Sequence, residues 1–213
     1  MKYDGIIFDL DGVICSTDEY HYLAWKKLAE KLGIKDFTKK DNERQRGVSR
    51  MESLEVVLEK TDKKFTQEEK VALATEKNEY YKQMLAQMSK KDLADDVKDT
   101  LDAIKAKGIR IAIGSSSKNA KFILSRIGLL DYFDAISDGE NITRTKPDPQ
   151  VFTMAAEFLG LDPSRCLVVE DAEAGIMAGK TGGFDTAALG SATKCPYATY
   201  RLSTFSDLKA IVL

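Results

Sequence analysis

Short apolar runs recur along the chain, and each stops at polar or small residues. Ile6, Ile7 and Phe8 are consecutive within residues 3–8 and predict a short buried strand that ends at Asp9-Leu10-Asp11-Gly12. Ile109–Ile113 predicts a second strand, preceded by an amphipathic helix on Val97, Leu101 and Ile104 that Gly108 ends. Cys166–Val169 and Asp185–Leu189 predict a third and a fourth. Helical patterns lie between them: Lys118–Ile127 ending at Gly128, Pro149–Leu159 ending at Gly160, and Ala172–Lys180 ending at Gly182-Gly183. Pro149 suits a first helical position with Asp148 as its N-cap. Strands alternating with capped helices imply parallel βαβ units, hence a doubly wound α/β domain with a parallel sheet.

Residues 17–90 carry a different pattern, helical throughout. Thr17 or Asp18 can cap a helix bearing Tyr20, Leu23, Ala24, Leu28 and Leu32. Ser49-Arg50-Met51-Glu52 fits a capping box ahead of Leu54, Val57 and Leu58. Thr66-Gln67-Glu68-Glu69 fits another, ahead of Leu73, Ala74, Tyr81, Met84, Leu85 and Met88. The expected organisation is an α/β core over 1–15 and 92–213, with an all-helical unit over 16–91 inserted after the first strand. The crossings, near Ile14–Thr17 and Ser89–Ala94, are expected to be mobile.

Composition narrows the function. With 213 residues, 43% hydrophobic and 31% charged, the chain can bury a sizeable core. Its formal net charge of −2 argues against a general nucleic-acid or anionic-membrane binder. The one histidine, His21, excludes a multi-histidine metal site, and any Ser-His-Asp or Cys-His arrangement would have to pass through it. Cys15, Cys166 and Cys195 form neither a disulfide framework nor a CxxC pair, which fits reduced thiols in a cytoplasmic protein. No signal peptide is evident, and no apolar run approaches the about 18–20 residues of a membrane span. The expectation is a soluble cytoplasmic monomer with neither nucleic-acid nor membrane partner.

The strand ends carry the chemistry. Asp9 and Asp11 lie just past the first strand, where ligands bind in open α/β sheets, and Gly12 lets the chain turn away. The second strand runs into Gly114-Ser115-Ser116-Ser117-Lys118-Asn119, which joins hydroxyls, free backbone N–H groups and a helix N-terminus into a phosphate seat. The third runs into Glu170-Asp171, with Lys146-Pro147 in the preceding connection. Four carboxylates in one cleft repel, and a divalent cation together with Lys146 would neutralise them. Oxygen-only ligands point to Mg²⁺ rather than zinc.

Asp9-Leu10-Asp11-Gly12, Ser115, Lys146 and Glu170-Asp171 resemble, in order and spacing, the four motifs of the haloacid dehalogenase superfamily of phosphotransferases. The helical insert resembles the cap of its helical-cap members. Within that superfamily the chain is similar to the β-phosphoglucomutase family. The stretches concerned are Phe8–Ile14, Thr17, Glu19-Tyr20-His21, Ala24-Trp25, Gly47-Val48-Ser49-Arg50, Ser53, Lys77-Asn78, Ser115–Asn119, Thr145-Lys146-Pro147, Glu170-Asp171 and Ala174-Gly175-Ile176. Arg46 stands where that family usually has lysine, and Ala172 where it often has serine.

The residues alone do not choose between Asp9 and Asp11 as nucleophile. The resemblance implies that Asp9 forms an aspartyl-phosphate and Asp11 is general acid and base. It implies Mg²⁺ on Asp9, on Asp11 through its backbone carbonyl, and on Glu170 and Asp171, with Ser115 and Lys146 on the transferring phosphoryl group. It implies Arg50, with Ser117, Lys118 and Asn119, on the second phosphate, and Ser116 among the substrate-binding residues. Gly47, Val48, Ser53 and Lys77 are implied to close over the sugar, with Arg46 and Ser49 also substrate-binding. Thr17 and His21 are implied to hold the hinge and help place Asp11. The implied reaction interconverts β-D-glucose 1-phosphate and glucose 6-phosphate, with glucose 1,6-bisphosphate as intermediate and activator. A sugar-phosphate phosphatase on the same scaffold is the alternative. A non-catalytic phosphometabolite-binding protein is disfavoured, since nucleophile, acid/base and metal carboxylates are all present.

Overall fold

The structure, a computed structural model, describes residues 2–45 and 48–213. The chain divides into two compact units, Met1–Ser16 with Ser89–Leu213, and Thr17–Met88.

Strand β1 (Gly5–Phe8) opens the first unit. The chain then enters the helical unit, which contains α1 (Asp18–Lys31), α2 (Lys39–Glu43), α3 (Arg50–Leu58) and α4 (Gln67–Leu85). Trp25, Leu28 and Ala29 of α1 pack with Ile34, Phe37, Leu54, Val57, Leu58 and Ala74 in one core. Tyr22 stacks on Phe37 with ring centroids 6.1 Å apart. The buried face of α1 runs through Ala24, Trp25, Leu28 and Ala29; Leu23, expected to share it, is exposed. Both predicted capping boxes form. Ser49 Oγ accepts from the Glu52 N–H and Glu52 accepts from the Ser49 N–H. Thr66 and Glu69 repeat the arrangement. Thr17 occupies the N-cap position of α1 but makes no side-chain capping bond. The short α2, headed by a Thr38–Asp41 box, is an element that the apolar pattern does not announce.

Back in the first unit come α5 (Asp95–Ala106), β2 (Arg110–Gly114), α6 (Ala120–Ile127), β3 (Ala135–Ser137), α7 (Gln150–Leu159), β4 (Cys166–Glu170), α8 (Glu173–Thr181), β5 (Asp185–Ala188), β6 (Tyr200–Arg201) and α9 (Lys209–Val212). The six strands form one sheet in the order β3-β2-β1-β4-β5-β6, parallel throughout. β1 is buried along its whole length, as its unbroken apolar run requires of a central parallel strand. Ile7, Ala112 and Val168 face α7 and bury against Val151, Phe152, Ala155, Ala156 and Leu159. On the other face the Phe8 ring stacks on Phe205 at 5.7 Å and meets Phe133 edge-on at 6.4 Å.

Two strands, β3 and β6, escape the sequence pattern. Each is short, only partly buried, and at an edge of the sheet, so neither carries an apolar run. α7 begins at Gln150 with Pro149 at its N-cap position, one residue later than expected, so Asp148 lies just outside the helix, where its Oδ1 accepts from the Gln150 N–H at 2.9 Å. The three cysteines are buried and free. Among the described residues no helix is long and apolar enough to cross a membrane.

Candidate active site

The strand register brings three chain ends level. Phe8 pairs with Ile113 on one side and Val169 on the other, so Asp9, Gly114 and Glu170 follow at the same height. The connections run in opposite directions from β1, and the crevice at such a switch point is where open α/β sheets bind ligands. Asp9 is held there by its backbone, whose N–H donates to the Val169 carbonyl at 3.0 Å.

Lys146 joins these ends. Its Nζ lies 2.5 Å from Asp9 Oδ1 and 2.5 Å from Glu170 Oε1, and all three side chains are buried. Lys146 reaches in from the β3–α7 connection, where a turn with a cis Lys146–Pro147 peptide closes as the Asp148 N–H donates to the Thr145 carbonyl at 3.0 Å. The same ammonium sits 4.7 Å from the centre of the Phe152 ring. Burial, opposed by Lys146 and reinforced by Glu170, Asp171 and Asp11, pushes the Asp9 carboxyl well above the ordinary carboxylate range. Burial works against the charge on Lys146, but Asp9 and Glu170 outweigh it and hold the ammonium protonated above the usual lysine range.

Two glycines make room for this packing. Gly12, at φ +93°, turns the chain so that its N–H reaches the Cys15 carbonyl at 2.7 Å, and a Cβ there would fall 2.2 Å from Asp171 Oδ2. Asp171 thus lies against the Asp9–Asp11 turn. Gly175, in the first turn of α8, lies over Glu170: a Cβ would meet the carboxyl carbon at 2.0 Å. Glu170 keeps one oxygen on Lys146 while the other accepts the Ala172 N–H at 2.8 Å.

The Ser115–Asn119 loop closes the third side. The Ser115 N–H donates to the Ser137 carbonyl at 3.0 Å. Not all its backbone donors are free, as the sequence suggested: Ser115 Oγ accepts the Ser117 N–H at 3.2 Å, and Ser117 Oγ the Asn119 N–H at 3.1 Å. The hydroxyls fold the loop onto itself before α6 begins. Ser116 Oγ is buried with no hydrogen-bond partner, and Lys118 is exposed.

Among the described residues no three acidic, histidine or cysteine side chains converge on one coordination point. The donor chemistry nonetheless fits a hard divalent cation. Asp9, Asp11, Glu170 and Asp171 offer oxygen donors alone, and Gly12 leaves Asp171 the room to approach.

In the helical unit the sequence-predicted residues form a second cluster. Lys77 of α4 is buried, with Nζ 2.9 Å from His21 Nδ1 and 4.7 and 4.6 Å from the Trp25 and Tyr81 ring centres. The His21 and Tyr81 rings lie 4.1 Å apart. An ammonium only donates, so His21 Nδ1 accepts and the imidazole is neutral. Burial, with the positive charges of Lys77 and Arg50, holds His21 well below the ordinary histidine range. By its sequence pattern Tyr81 is a helix-face residue; its spacing of four from Lys77 on α4 is the signal that joins it to this cluster. Arg50 is the first residue of α3, behind its N-cap Ser49. Ser53 is buried, and its carbonyl accepts from Gln45 Nε2 at 2.8 Å. Val48 is exposed. Arg46 and Gly47 lie outside the described residues.

Two predictions follow from these clusters. Gly175→Ala forces Glu170 off Lys146; turnover of a small phosphoester should fall by about a hundredfold while circular dichroism stays that of a folded protein. Wild-type turnover would contradict the packing argument. The second concerns pH. A histidine with a depressed folded pKa stays unprotonated while the unfolded chain takes up a proton below about 6.5. Wild-type stability should therefore fall as pH drops from 7 to 5, by up to about 1.4 kcal/mol per pH unit more than that of His21→Gln. Denaturant midpoints of both proteins across that range measure it, and parallel curves would refute it.

Comparison with known proteins identifies the family. A family model described as haloacid dehalogenase-like hydrolase matches residues 3–183. The chain is 42% identical over 188 residues to a β-phosphoglucomutase of Bacillus subtilis (strain 168), covering 87% of this chain and 83% of that protein. It is 31% identical over 186 residues to a fructose-1-phosphate phosphatase of Escherichia coli (strain K12), covering 86% and 95%. A crystal structure of β-phosphoglucomutase from Clostridium difficile superposes with a TM-score of 0.90 at 39% identity, covering 98% of this chain and 95% of that one. With acid, hydroxyl, lysine and acid at successive strand ends of one parallel sheet, the chain belongs to the haloacid dehalogenase-like hydrolase family.

Proposed function

We propose that the chain is a Mg²⁺-dependent phosphotransferase that interconverts β-D-glucose 1-phosphate and glucose 6-phosphate. The observation that carries the reading is Asp9, backbone-anchored at the end of β1 and paired with a buried, protonated Lys146. The 42% identity to the Bacillus β-phosphoglucomutase supports the substrate class.

In this reading an Asp9 oxygen attacks phosphorus as the sugar–oxygen bond to phosphorus breaks, giving an aspartyl-phosphate. Asp11 gives the departing sugar oxygen its proton, and takes the proton of the attacking hydroxyl in the reverse sense. Phospho-Asp9 passes its phosphoryl group to the 6-hydroxyl of β-glucose 1-phosphate. The resulting 1,6-bisphosphate returns its 1-phosphoryl group to Asp9 and leaves as glucose 6-phosphate. Lys146 and Ser115 hold the transferring group, and Lys146 offsets charge that grows in the transition state. Asp9, Glu170, Asp171 and the backbone carbonyl of Asp11 would hold Mg²⁺, which when bound supplies further charge neutralisation to the phosphoryl oxygens. Arg50, whose planar fork suits phosphate, is assigned to the non-transferring phosphate, with Ser117, Lys118 and Asn119. Val48, Ser53 and Lys77 are assigned to the sugar, together with Arg46 and Gly47.

Hydrolysis is the second reading, favoured by the 31% identity that spans 95% of the Escherichia coli phosphatase. The presence of Thr17, His21 and Lys77 favours the mutase. Purified protein with Mg²⁺, β-glucose 1-phosphate and catalytic glucose 1,6-bisphosphate should yield glucose 6-phosphate with little free phosphate; rapid phosphate release would replace the mutase by the phosphatase. Asp9→Asn should abolish either activity, and near-normal turnover by that variant would remove Asp9 from its role.

A further inference from the structure

Lys146 is carried by a connection with no regular secondary structure between Asn141 and Pro149. Thr143 and Arg144 are exposed, so core packing does not fix their backbone. One side chain does. Gln150 Oε1, at the start of α7, accepts the Thr143 N–H at 3.0 Å, the Arg144 N–H at 2.8 Å and the Thr143 hydroxyl at 3.3 Å. Asp148 braces the same loop, with Oδ2 accepting from Arg144 Nε at 2.7 Å and Oδ1 from the Gln150 N–H at 2.9 Å. Two residues further along α7, Phe152 places its ring beneath the Lys146 ammonium. The first turn of α7 therefore holds Lys146 from both sides, through the loop backbone and under the charged head.

We infer that Gln150 is a positioning residue for Lys146: its side-chain carbonyl gathers two consecutive backbone N–H groups and so fixes the loop that aims the ammonium at Asp9 and Glu170. This rests on the reading of Lys146 as the group that neutralises the transferring phosphoryl. Gln150 does not touch the reacting atoms. What it contributes is placement, and placement of a charge that acts in the transition state appears in kcat rather than in KM. Nothing in the sequence marks this glutamine; only the fold shows a single acceptor shared by two successive residues of the lysine loop.

The test uses the full chain with Mg²⁺, β-glucose 1-phosphate and catalytic glucose 1,6-bisphosphate. Total turnover is followed as glucose 6-phosphate plus free phosphate, so that either reaction is read. Gln150→Met keeps length and helix propensity but lacks the acceptor. Its kcat should fall about tenfold, with KM moving less than about threefold and the melting temperature little changed. Gln150→Glu keeps an oxygen acceptor and should return kcat to within about twofold of wild type. In a Lys146→Ala background, Gln150→Met should cause no further loss, because the interaction it serves is gone. A Met variant with wild-type kcat, a Glu variant as poor as the Met variant, or an undiminished loss in the Lys146→Ala background would each overturn the inference. Wild-type turnover by Lys146→Ala itself would instead refute the underlying reading of Lys146, and this inference with it.

Discussion

The structure of the site depends on one buried ammonium held between two buried carboxylates. Taking Lys146, Asp9 and Glu170 out of water is costly, and such ion groups seldom stabilise a fold relative to apolar packing. Their burial is better understood through chemistry. In the proposed reaction a nucleophilic carboxylate needs a positive neighbour that water does not screen, and a transferring phosphoryl group needs charge already in place. The fold meets this with rigid parts. β1 and β4 present Asp9 and Glu170 in register, a turn braced by the first turn of α7 delivers Lys146, and Gly175 leaves the space that Glu170 occupies.

The pKa pattern follows from the same arrangement. Asp9 is pushed up by burial and by its acidic neighbours, against the pull of Lys146, while Lys146 stays protonated. Glu170, Asp171 and Asp11 all act on Asp9 in the same direction, and oxygen donors of this kind suit a hard divalent cation. In the helical unit the logic is inverted. Lys77 is buried, and its ammonium rests on the Trp25 and Tyr81 ring faces and on the imidazole of His21. The lone histidine is thus kept neutral by its surroundings.

Much of this was legible in the sequence, for identifiable reasons. Central parallel strands are buried on both faces, so β1, β2 and β4 read as apolar runs, and the chemistry-bearing residues stand where those runs stop. The capping boxes at Ser49 and Thr66 were visible because they rest on contacts between near neighbours. What was not legible depends on distant parts meeting. β3 and β6 are short edge strands defined by their partners rather than their composition. The hydroxyls of Ser115 and Ser117 turned out to bond the loop's own N–H groups. The closeness of Gly12 to Asp171 and of Gly175 to Glu170 follows from chain crossings that no local spacing encodes. Gln150 is an ordinary helix-start residue until the lysine loop folds back onto it.

The central claim is that Asp9 accepts the phosphoryl group, and the acceptor can be identified chemically. Enzyme turning over glucose 1,6-bisphosphate in Mg²⁺ is quenched in acid, its acyl phosphate is reduced with borohydride, and the peptides are mapped by mass spectrometry. Conversion of one residue, Asp9, to homoserine is expected. Reduction at Asp11 in its place, or a phosphate found on Ser115 with Asp9 unmodified, would contradict it.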